Sequence, residues 1–372
     1  MRRLTLLIAP LLVAGCFNTD QPEKSKPVKQ VEATAVVAGI SRLSPGLSNK
    51  DKWAKTIIES LKQVGVPPTL DNACRVAALI RQESNFDPNP EVPGIGKLGI
   101  TALKEKLNSV PFLGDKAYKY LASTGAVNMI KKARTEQDLD LAYQKMVNDL
   151  VSKFNLSGIG DYSLFASLID GKNKITTLGA MQSKLDKELE RQGAKSLKDI
   201  YRVRRFMYTI DGVLAGTYVL FDTNRNYSDF IYQAADYNAG KYTSRNVGFQ
   251  HAVSKLSGVE LTLDGDLLSY GLKGAITESQ TEKALSVLSN QKDLGLNVVS
   301  RRLALSKEKE ASFSETGLYT TIAERYKAKF KTQMPKEMLP VIKLESLKVS
   351  SGLTTARFAK AVKVKYDLCV KR

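Results

Sequence analysis

Apolar residues recur every three or four positions along most of the chain, a spacing that places them on one face of an α-helix. The first such stripe consists of Trp53, Ile57, Ile58, Leu61 and Val64. A second runs from Val76 to Ile80. Strand alternation is scarce and no internal repeat is evident, so the pattern predicts a mainly α fold.

Capping and turn residues predict where the helices begin and end. Asp71 or Asn72 is the predicted N-cap of the second helix, and prolines and glycines between residues 88 and 96 interrupt the chain after it. Thr135 to Asp138 is similar to a capping box and predicts a helix over 135–154. Further helices are predicted over 196–220, 228–237, 243–256 and 278–289.

The N-terminus is typical of an exported protein. Arg2 and Arg3 precede a short apolar run over residues 4–14 and small residues before Cys16. This resembles a bacterial lipobox, which implies a signal peptide over residues 1–15 and an acylated, palmitate-carrying Cys16. The alternative is a buried first helix with an incidental cysteine. Residues 16–46 are predicted to be a lipidated tether. Phe17, where inner-membrane lipoproteins carry Asp, implies an anchor in the outer membrane and a protein that faces the periplasm.

The chain carries 56 basic and 38 acidic residues, a formal net charge of +18. Such a charge favours polyanionic partners, but it is spread along the chain, and export together with the absence of a recognition motif argues against nucleic acid. One histidine, His251, and no close Cys/His cluster give no reason to expect a metal or cofactor. Cys74 and Cys369 are predicted to form a disulfide, with two buried free thiols as the alternative.

One acidic residue follows an apolar helical stripe directly. Glu83 ends the second predicted helix, and Ser84 and a proline turn follow it. A carboxyl group beside apolar neighbours has a raised pKa, which a general acid in glycoside cleavage needs. Glu-Ser pairs after helices are also common at solvated helix ends, so this signal alone does not decide the function.

Two further segments favour a catalytic role for Glu83 over a solvated helix end. Residues 178–183 contain Gly-x-Met-Gln, and residues 234–240 contain Tyr-Asn-Ala-Gly. The order Glu-Ser, Gly-x-Met-Gln, Tyr-Asn-Ala-Gly resembles the soluble lytic transglycosylases and goose-type lysozymes. The resemblance implies a lysozyme-like helical domain with Glu83 as the catalytic acid and base. It also implies that substrate binding or orientation falls to Ser84, Gly179, Met181, Gln182, Tyr237 and Asn238, with the tyrosine hydrogen-bonded to the glutamate.

The spacing departs from that pattern. Glu83 and Gln182 are far apart, so a lysozyme-like domain over 47–272 requires an insertion at about 89–177. This insertion is a candidate lid, a block across the cleft or a surface for an envelope protein partner. Residues 273–372 are expected to form a helical C-terminal extension packed on the core.

A closer resemblance covers nearly the whole mature chain. Residues 93–96, 236–246, 263–268 and 344–346 are similar to a bacterial lipoprotein family known as domain of unknown function 1615, which is also similar in having two cysteines equivalent to Cys74 and Cys369. Membership implies an extracytoplasmic lysozyme-like protein and does not by itself imply activity.

The expected function is cleavage of the MurNAc–GlcNAc bond of peptidoglycan by a lytic transglycosylase. A lysozyme-type hydrolase would also need a held water, for which Asp87, Asp170 and Asp236 are candidates, although Asp236 is expected to be a structural hydrogen-bonding residue. The alternative is a non-catalytic peptidoglycan-binding or envelope scaffold lipoprotein. The expected partners are therefore glycan strands and, through the lipid anchor, a membrane.

Overall fold

The computed structural model describes residues 30–108, 114–153, 177–222, 226–271, 275–291, 295–343 and 352–371. The predicted signal peptide over residues 1–15, the lipidation site Cys16 and the first part of the predicted tether lie outside them. Within them the chain is mainly helical, as predicted. No helix in these ranges has the length and apolar character that a membrane span requires.

Seven helices lie before the first hairpin in the described chain: α1 (Ala33–Leu43), α2 (Lys50–Gln63), α3 (Leu70–Glu83), α4 (Ile95–Asn108), α5 (Gly114–Ser123), α6 (Ala126–Lys132) and α7 (Glu136–Lys153). Nine follow: α8 (Leu185–Arg191), α9 (Leu197–Met207), α10 (Val213–Phe221), α11 (Phe230–Ala239), α12 (Thr243–Ser257), α13 (Gln280–Gln291), α14 (Val298–Leu305), α15 (Gly317–Phe330) and α16 (Thr355–Val370).

The described strands form two short antiparallel hairpins. In the first, β1 (Thr177–Leu178) pairs with β2 (Ser183–Lys184), and Leu178 lies opposite Ser183. In the second, β3 (Ser269–Tyr270) pairs with β4 (Ile276–Thr277), and Tyr270 lies opposite Ile276. Both are too short to build a sheet core, so helix packing forms the protein interior.

The central core is built by α1, α2, α3, α10, α11 and α16. Val36, Ile40 and Leu43 of α1 are buried in it, because their spacing of three or four residues places them on one helix face. The structure therefore differs from the tether predicted over residues 16–46: residues 33–43 are a core helix. The tether was predicted from the polar residues that precede α1, and the short apolar stripe of α1 itself was not recognised.

The predicted stripes of α2 and α3 are confirmed as helices, with one correction at the start of α3. The predicted N-cap was Asp71 or Asn72, but the N-cap is Thr69, whose hydroxyl accepts from the backbone N–H of Asn72 at 3.1 Å. Threonine is among the residues preferred at this position, because its hydroxyl accepts a hydrogen bond from a backbone N–H of the first turn. The prediction was therefore two or three residues late.

The single helix predicted over residues 196–220 is wrong. It is two helices, α9 and α10, with a 3₁₀ turn at Ile210–Gly212 between them. Thr209 has an extended backbone, with φ −107° and ψ 167°, and this interrupts the α-helical hydrogen bonding. The continuous apolar pattern did not reveal the break, because apolar residues occur on both sides of it.

Helices α4–α7 occupy the predicted insertion and share a small core of their own. A buried ion pair joins this group to α9, since Asp140 of α7 lies against Arg204 and both side chains are at most 3% exposed. Burial raises the pKa of Asp140 above its ordinary value, and the Arg204 charge opposes that rise. The ion pair is a direct link between the insertion and α9.

The C-terminal helices join the rest of the chain in two ways. Helices α13–α15 share a core with α12. Helix α16 packs on α1, α3 and α11, and the predicted disulfide between Cys74 and Cys369 is confirmed. Gly39 permits this packing, because a Cβ there would lie 2.8 Å from the Cys369 sulfur.

Candidate functional site

Glu83 is the last residue of α3, and the buried apolar side of that helix fixes its position. Val76, Leu79 and Ile80 are inaccessible to solvent in the core, whereas Glu83 is half-buried at the core boundary. Ser84, which the resemblance assigns to substrate positioning, is buried, and its hydroxyl donates to the Ile80 carbonyl at 3.2 Å. In this structure Ser84 caps the helix end that carries Glu83.

The loop after Glu83 has an unusual backbone. Asn85 and Phe86 have φ values of 56° and 63°, a left-handed conformation that is rare for a large aromatic residue. Phe86 is held there by burial and by an edge-on contact with Trp53, with ring centroids 5.4 Å apart. Arg81 bonds both Asn85 and the Leu43 carbonyl. Such strain persists only where packing enforces it, and it is concentrated at functional sites.

The Gly-x-Met-Gln segment forms the turn between β1 and β2. Gly179 has a φ of 76°, and a Cβ there would lie 2.2 Å from the Met207 carbonyl oxygen, so only glycine fits. The Gln182 side chain donates to the Gly179 carbonyl at 3.0 Å and accepts from the Thr177 hydroxyl at 3.2 Å. Its amide thus stabilises the turn. Met181 is 1% exposed in the central core, so its backbone is the part available to the site.

Tyr237 connects this turn to Glu83. Its hydroxyl donates to the Met181 carbonyl at 2.8 Å and lies 3.2 Å from the Ser183 hydroxyl. Burial raises the pKa of the Tyr237 phenol; the contact with Ser183 lowers it, and the nearby negative charge of Glu83 raises it further. Tyr237 therefore stays protonated at neutral pH, within the electrostatic reach of Glu83.

The neighbours of Tyr237 on α11 divide into two kinds. Asp236 is buried and accepts from the Tyr227 hydroxyl at 2.6 Å and from the Ser244 amide at 2.7 Å, which is the structural role expected of it. Asn238 has a buried side-chain oxygen with no hydrogen-bond partner among the described residues. An unsatisfied buried acceptor is costly in a folded protein, and this one lies beside the predicted orienting tyrosine.

A cationic group from the C-terminal helix lies on the other side of α3. Lys365 of α16 donates to the side chain of Gln82, the residue before Glu83, at 2.8 Å. Burial lowers the pKa of Lys365, and the charge of Arg81 lowers it further. Arg81 and Lys365 thus place two cations near the end of α3, on a surface that suits an acidic polymer.

The structure thus brings the three predicted segments together at the carboxyl ends of α3 and α11. Sequence reasoning did not select Ser183, Phe86 or Lys365. Ser183 could have been found from its place directly after Gln182, whereas no local signal marks Lys365, which lies 283 positions from its partner. Of the candidates for holding a water, Asp87 is exposed and accepts from the Asn89 amide, and Asp170 lies outside the described residues.

The described residues include no cluster of three or more His, Cys, Asp or Glu side chains arranged to bind a metal ion. The chemistry available at this end of α3 is therefore that of one carboxyl group, one buried phenol, hydroxyl and amide side chains, and two cations.

Comparison with known proteins identifies relatives across nearly the whole chain. Residues 46–372 match the family described as protein of unknown function (DUF1615). The chain is also 34% identical to the uncharacterized protein YaiW of Escherichia coli (strain K12) over 372 residues, covering 98% of this chain and 97% of the relative. No solved structure matches the chain.

Proposed function

We propose that this chain, which belongs to the DUF1615 family, is a lipoprotein that cleaves peptidoglycan in the manner of a lytic transglycosylase. Its lysozyme-like helical domain spans residues 47–272, and Glu83 is the catalytic acid and base that cuts the MurNAc–GlcNAc bond. Acylated Cys16 anchors it to the outer membrane, facing the periplasm.

The meeting of the three motif segments around one tyrosine carries this proposal. Tyr237 donates to the backbone of the Gly-x-Met-Gln turn and lies within the electrostatic influence of Glu83. Glu83 is the last residue of α3. Tyr237 lies near the end of α11, three residues before the C-cap Gly240. Residues distant in sequence therefore share one location, as a glycosidase site requires.

The reaction needs only one carboxyl group. Protonated Glu83 donates its proton to the glycosidic oxygen, and the N-acetyl group of the substrate stabilises the developing positive charge. Ionised Glu83 then takes the proton from the C6 hydroxyl of the muramic residue, whose oxygen closes a 1,6-anhydro ring. Tyr237 holds the Gly-x-Met-Gln turn by donating a hydrogen bond to the Met181 carbonyl and stays neutral near Glu83, while Arg81 and Lys365 attract the acidic polymer.

The left-handed loop after Glu83 supports the same site. The conformation of Asn85 and Phe86 costs free energy, of order 1–3 kcal/mol for each strained residue, and the packing of Phe86 on Trp53 sustains it. A solvated helix end has no need of such a loop.

The test is digestion of purified peptidoglycan sacculi by the full chain, with released fragments identified by mass spectrometry. We expect anhydromuramyl products whose release falls by about 10²–10⁴-fold in Glu83→Gln. Glu59→Gln is the matched control, since Glu59 is an exposed glutamate on α2, and it should cleave like the wild type.

Other outcomes give other conclusions. Reducing-end products lost in Glu83→Gln would contradict the transglycosylase reaction and indicate a lysozyme-type hydrolase. Sacculi bound but uncut by every variant would overturn catalysis. They would leave a peptidoglycan-binding or scaffold lipoprotein, for which the separately packed helices α4–α7 between Glu83 and the hairpin provide a candidate partner surface.

A further inference from the structure

Arg75 of α3 contacts the start of α11. It donates to Gln233 at 2.8 Å and lies 5.4 Å from the ring centre of Phe230. Helix α16 packs on both α3 and α11. Glu83 is the last residue of α3, so Arg75 and the candidate catalytic carboxyl group lie on one helix, with Arg75 toward its beginning.

A partly open cavity of about 300 Å³ lies beside Arg75, lined by residues of α3, the start of α11 and α16. This volume is at the lower end of the range for small-molecule sites. Its walls combine the aromatic rings of Tyr227, Phe230 and Tyr366 with charged side chains. The rings of Phe230 and Tyr366 contact each other, with centroids 4.9 Å apart.

The two cations of the cavity are held in fixed positions. Gln233 and Asp71 bind two different nitrogens of the Arg75 guanidinium, at 2.8 Å and 2.9 Å. A guanidinium has five N–H donors, so these contacts leave N–H groups on both terminal nitrogens for a ligand, as far as the described residues show. Lys363 of α16 is held by Asp367 at 2.6 Å and lies 3.5 Å from Asp229.

Asp229 supplies a negative charge to the same cavity. It is the N-cap of α11, where one carboxylate oxygen accepts from the Ile231 amide at 2.8 Å. The other oxygen faces Lys363, and the side chain is 41% exposed. The lining thus presents cations and a carboxylate side by side, and the rings of Phe230 and Tyr366 lie beneath Arg75 and Lys363 at 5.4 Å and 5.6 Å.

We propose that this cavity binds a zwitterionic amino-acid group, with its carboxylate on Arg75 and its ammonium on Asp229. A simple anion would meet Asp229, and a simple cation would meet Arg75 and Lys363. A group with both charges on one carbon matches both.

If the proposed cleavage of peptidoglycan is correct, it also indicates which zwitterionic ligand the cavity binds. Peptide side chains of peptidoglycan that contain diaminopimelate carry an ammonium and a carboxylate on one carbon. Arg75 and Glu83 are eight residues apart on α3, which is about 12 Å along a helix. A glycan strand at Glu83 could therefore place an attached peptide in the cavity.

The test measures binding of a soluble disaccharide-tripeptide with a free diaminopimelate amine to the full chain by calorimetry. The same compound with that amine acetylated is the matched ligand. We expect the free amine form to bind about tenfold or more tightly than the acetylated one, the size of one charged hydrogen bond. Asp229→Asn, which keeps a good N-cap, should remove that preference. Asp51→Asn, at an exposed acid on α2, should retain it.

Arg75→Gln and Lys363→Gln give the second arm, because either should weaken binding of both ligands. If loss of the ion pair with Asp71 unfolds Arg75→Gln, Lys363→Gln and Asp229→Asn still decide the question. Equal affinity for the two ligands, or an unchanged preference in Asp229→Asn, would overturn the proposal. Cleavage of glycan strands stripped of peptide tests Glu83 alone, so failure of the cavity and failure of the proposed catalysis give different results.

Discussion

Two regions of this protein bury polar side chains at helix ends, and the regions differ in how fully those side chains are hydrogen-bonded. Around Tyr242 and the start of α12 the polar groups are paired. Buried Arg245 donates to the carbonyls of Glu308 and Glu310 and to the side chain of Asn246. Asn246 in turn donates to the carbonyls of Gly265 and Glu308. We call this set the α12 network.

Around the end of α3, polar groups are left unsatisfied and the backbone is strained. The Asn238 oxygen and the Trp53 ring nitrogen are buried without partners among the described residues, and Phe86 has a left-handed backbone. A fully paired buried network stabilises and specifies a fold, whereas a buried polar atom without a partner has a cost. The two regions therefore differ in side-chain pairing; left-handed backbone does not separate them, because Tyr242 at the start of α12 also has a φ of 60°.

The contrast also bears on two of the segments on which the resemblance to the family was based. Residues 242–246 and 263–268 belong to the α12 network, where Gln250 accepts from the Gly265 amide and donates to Asp264. Glu308 completes it by accepting from the amides of Leu267 and Leu268. These segments therefore mark the fold, and the Tyr-Asn-Ala-Gly segment just before them is the part that reaches the site.

The largest effect is expected when the same residue type is changed in both regions. Asn246→Ala removes the side-chain oxygen that accepts from Arg245 and the amide group that donates to the carbonyls of Gly265 and Glu308. The loss should lower the free energy of unfolding by about 3 kcal/mol. Asn238→Ala removes an oxygen that has no partner among the described residues, so it should change the free energy of unfolding by less than about 1 kcal/mol. Denaturant unfolding of both variants measures the difference.

Activity should show the opposite order. In the sacculus assay, Asn238→Ala should reduce product release more than Asn246→Ala does under conditions where both variants are folded. Equal stability losses for the two would remove the distinction between the regions.

The sequence predicted the elements of the site better than their arrangement. The stripe of α3 and the cap of α11 placed Glu83 and Tyr237 at or near helix ends, because these signals are local. Lys365 and the cavity at Arg75 depend on how α16 crosses α3, and no local pattern records that crossing. The Cys74–Cys369 pair was a long-range contact that the sequence did predict, since two cysteines in an exported chain offer few pairings.

The errors in the fold have the same origin. The Thr69 hydroxyl caps the start of α3, and the extended backbone of Thr209 interrupts the chain between α9 and α10. A hydrophobic pattern records neither effect. Helix α1 was missed because it has only three strongly buried apolar residues in eleven. Helix α1 is part of the core because it packs on α2, α3 and α16.

A smaller effect separates strain from packing at Phe86. Phe86→Ala and Phe86→Gly both lose the contact with Trp53, so both should be less stable than the wild type. Glycine normally destabilises relative to alanine, but at a φ of 63° it avoids the left-handed penalty of about 1–2 kcal/mol. We therefore expect Phe86→Gly to be more stable than Phe86→Ala by about 1 kcal/mol. Thermal unfolding of the pair measures it, and the reverse order would show that this loop is unstrained.

The smallest effect is a pH dependence in the α12 network. Burial raises the pKa of Glu308 above its ordinary value; the amides of Leu267 and Leu268 and the charge of Lys309 oppose the rise, and Asp266 adds to it. Because the folded state holds this proton more tightly than the unfolded chain does, folding stability falls as pH rises from the ordinary glutamate pKa through the raised one. Glu308→Gln cannot ionise, so its stability relative to the wild type should improve from pH 4 to pH 7. Denaturant unfolding across that range measures the trend. A relative stability that falls instead would mean that the two amides hold Glu308 ionised, and the network would then contain a stabilising buried charge.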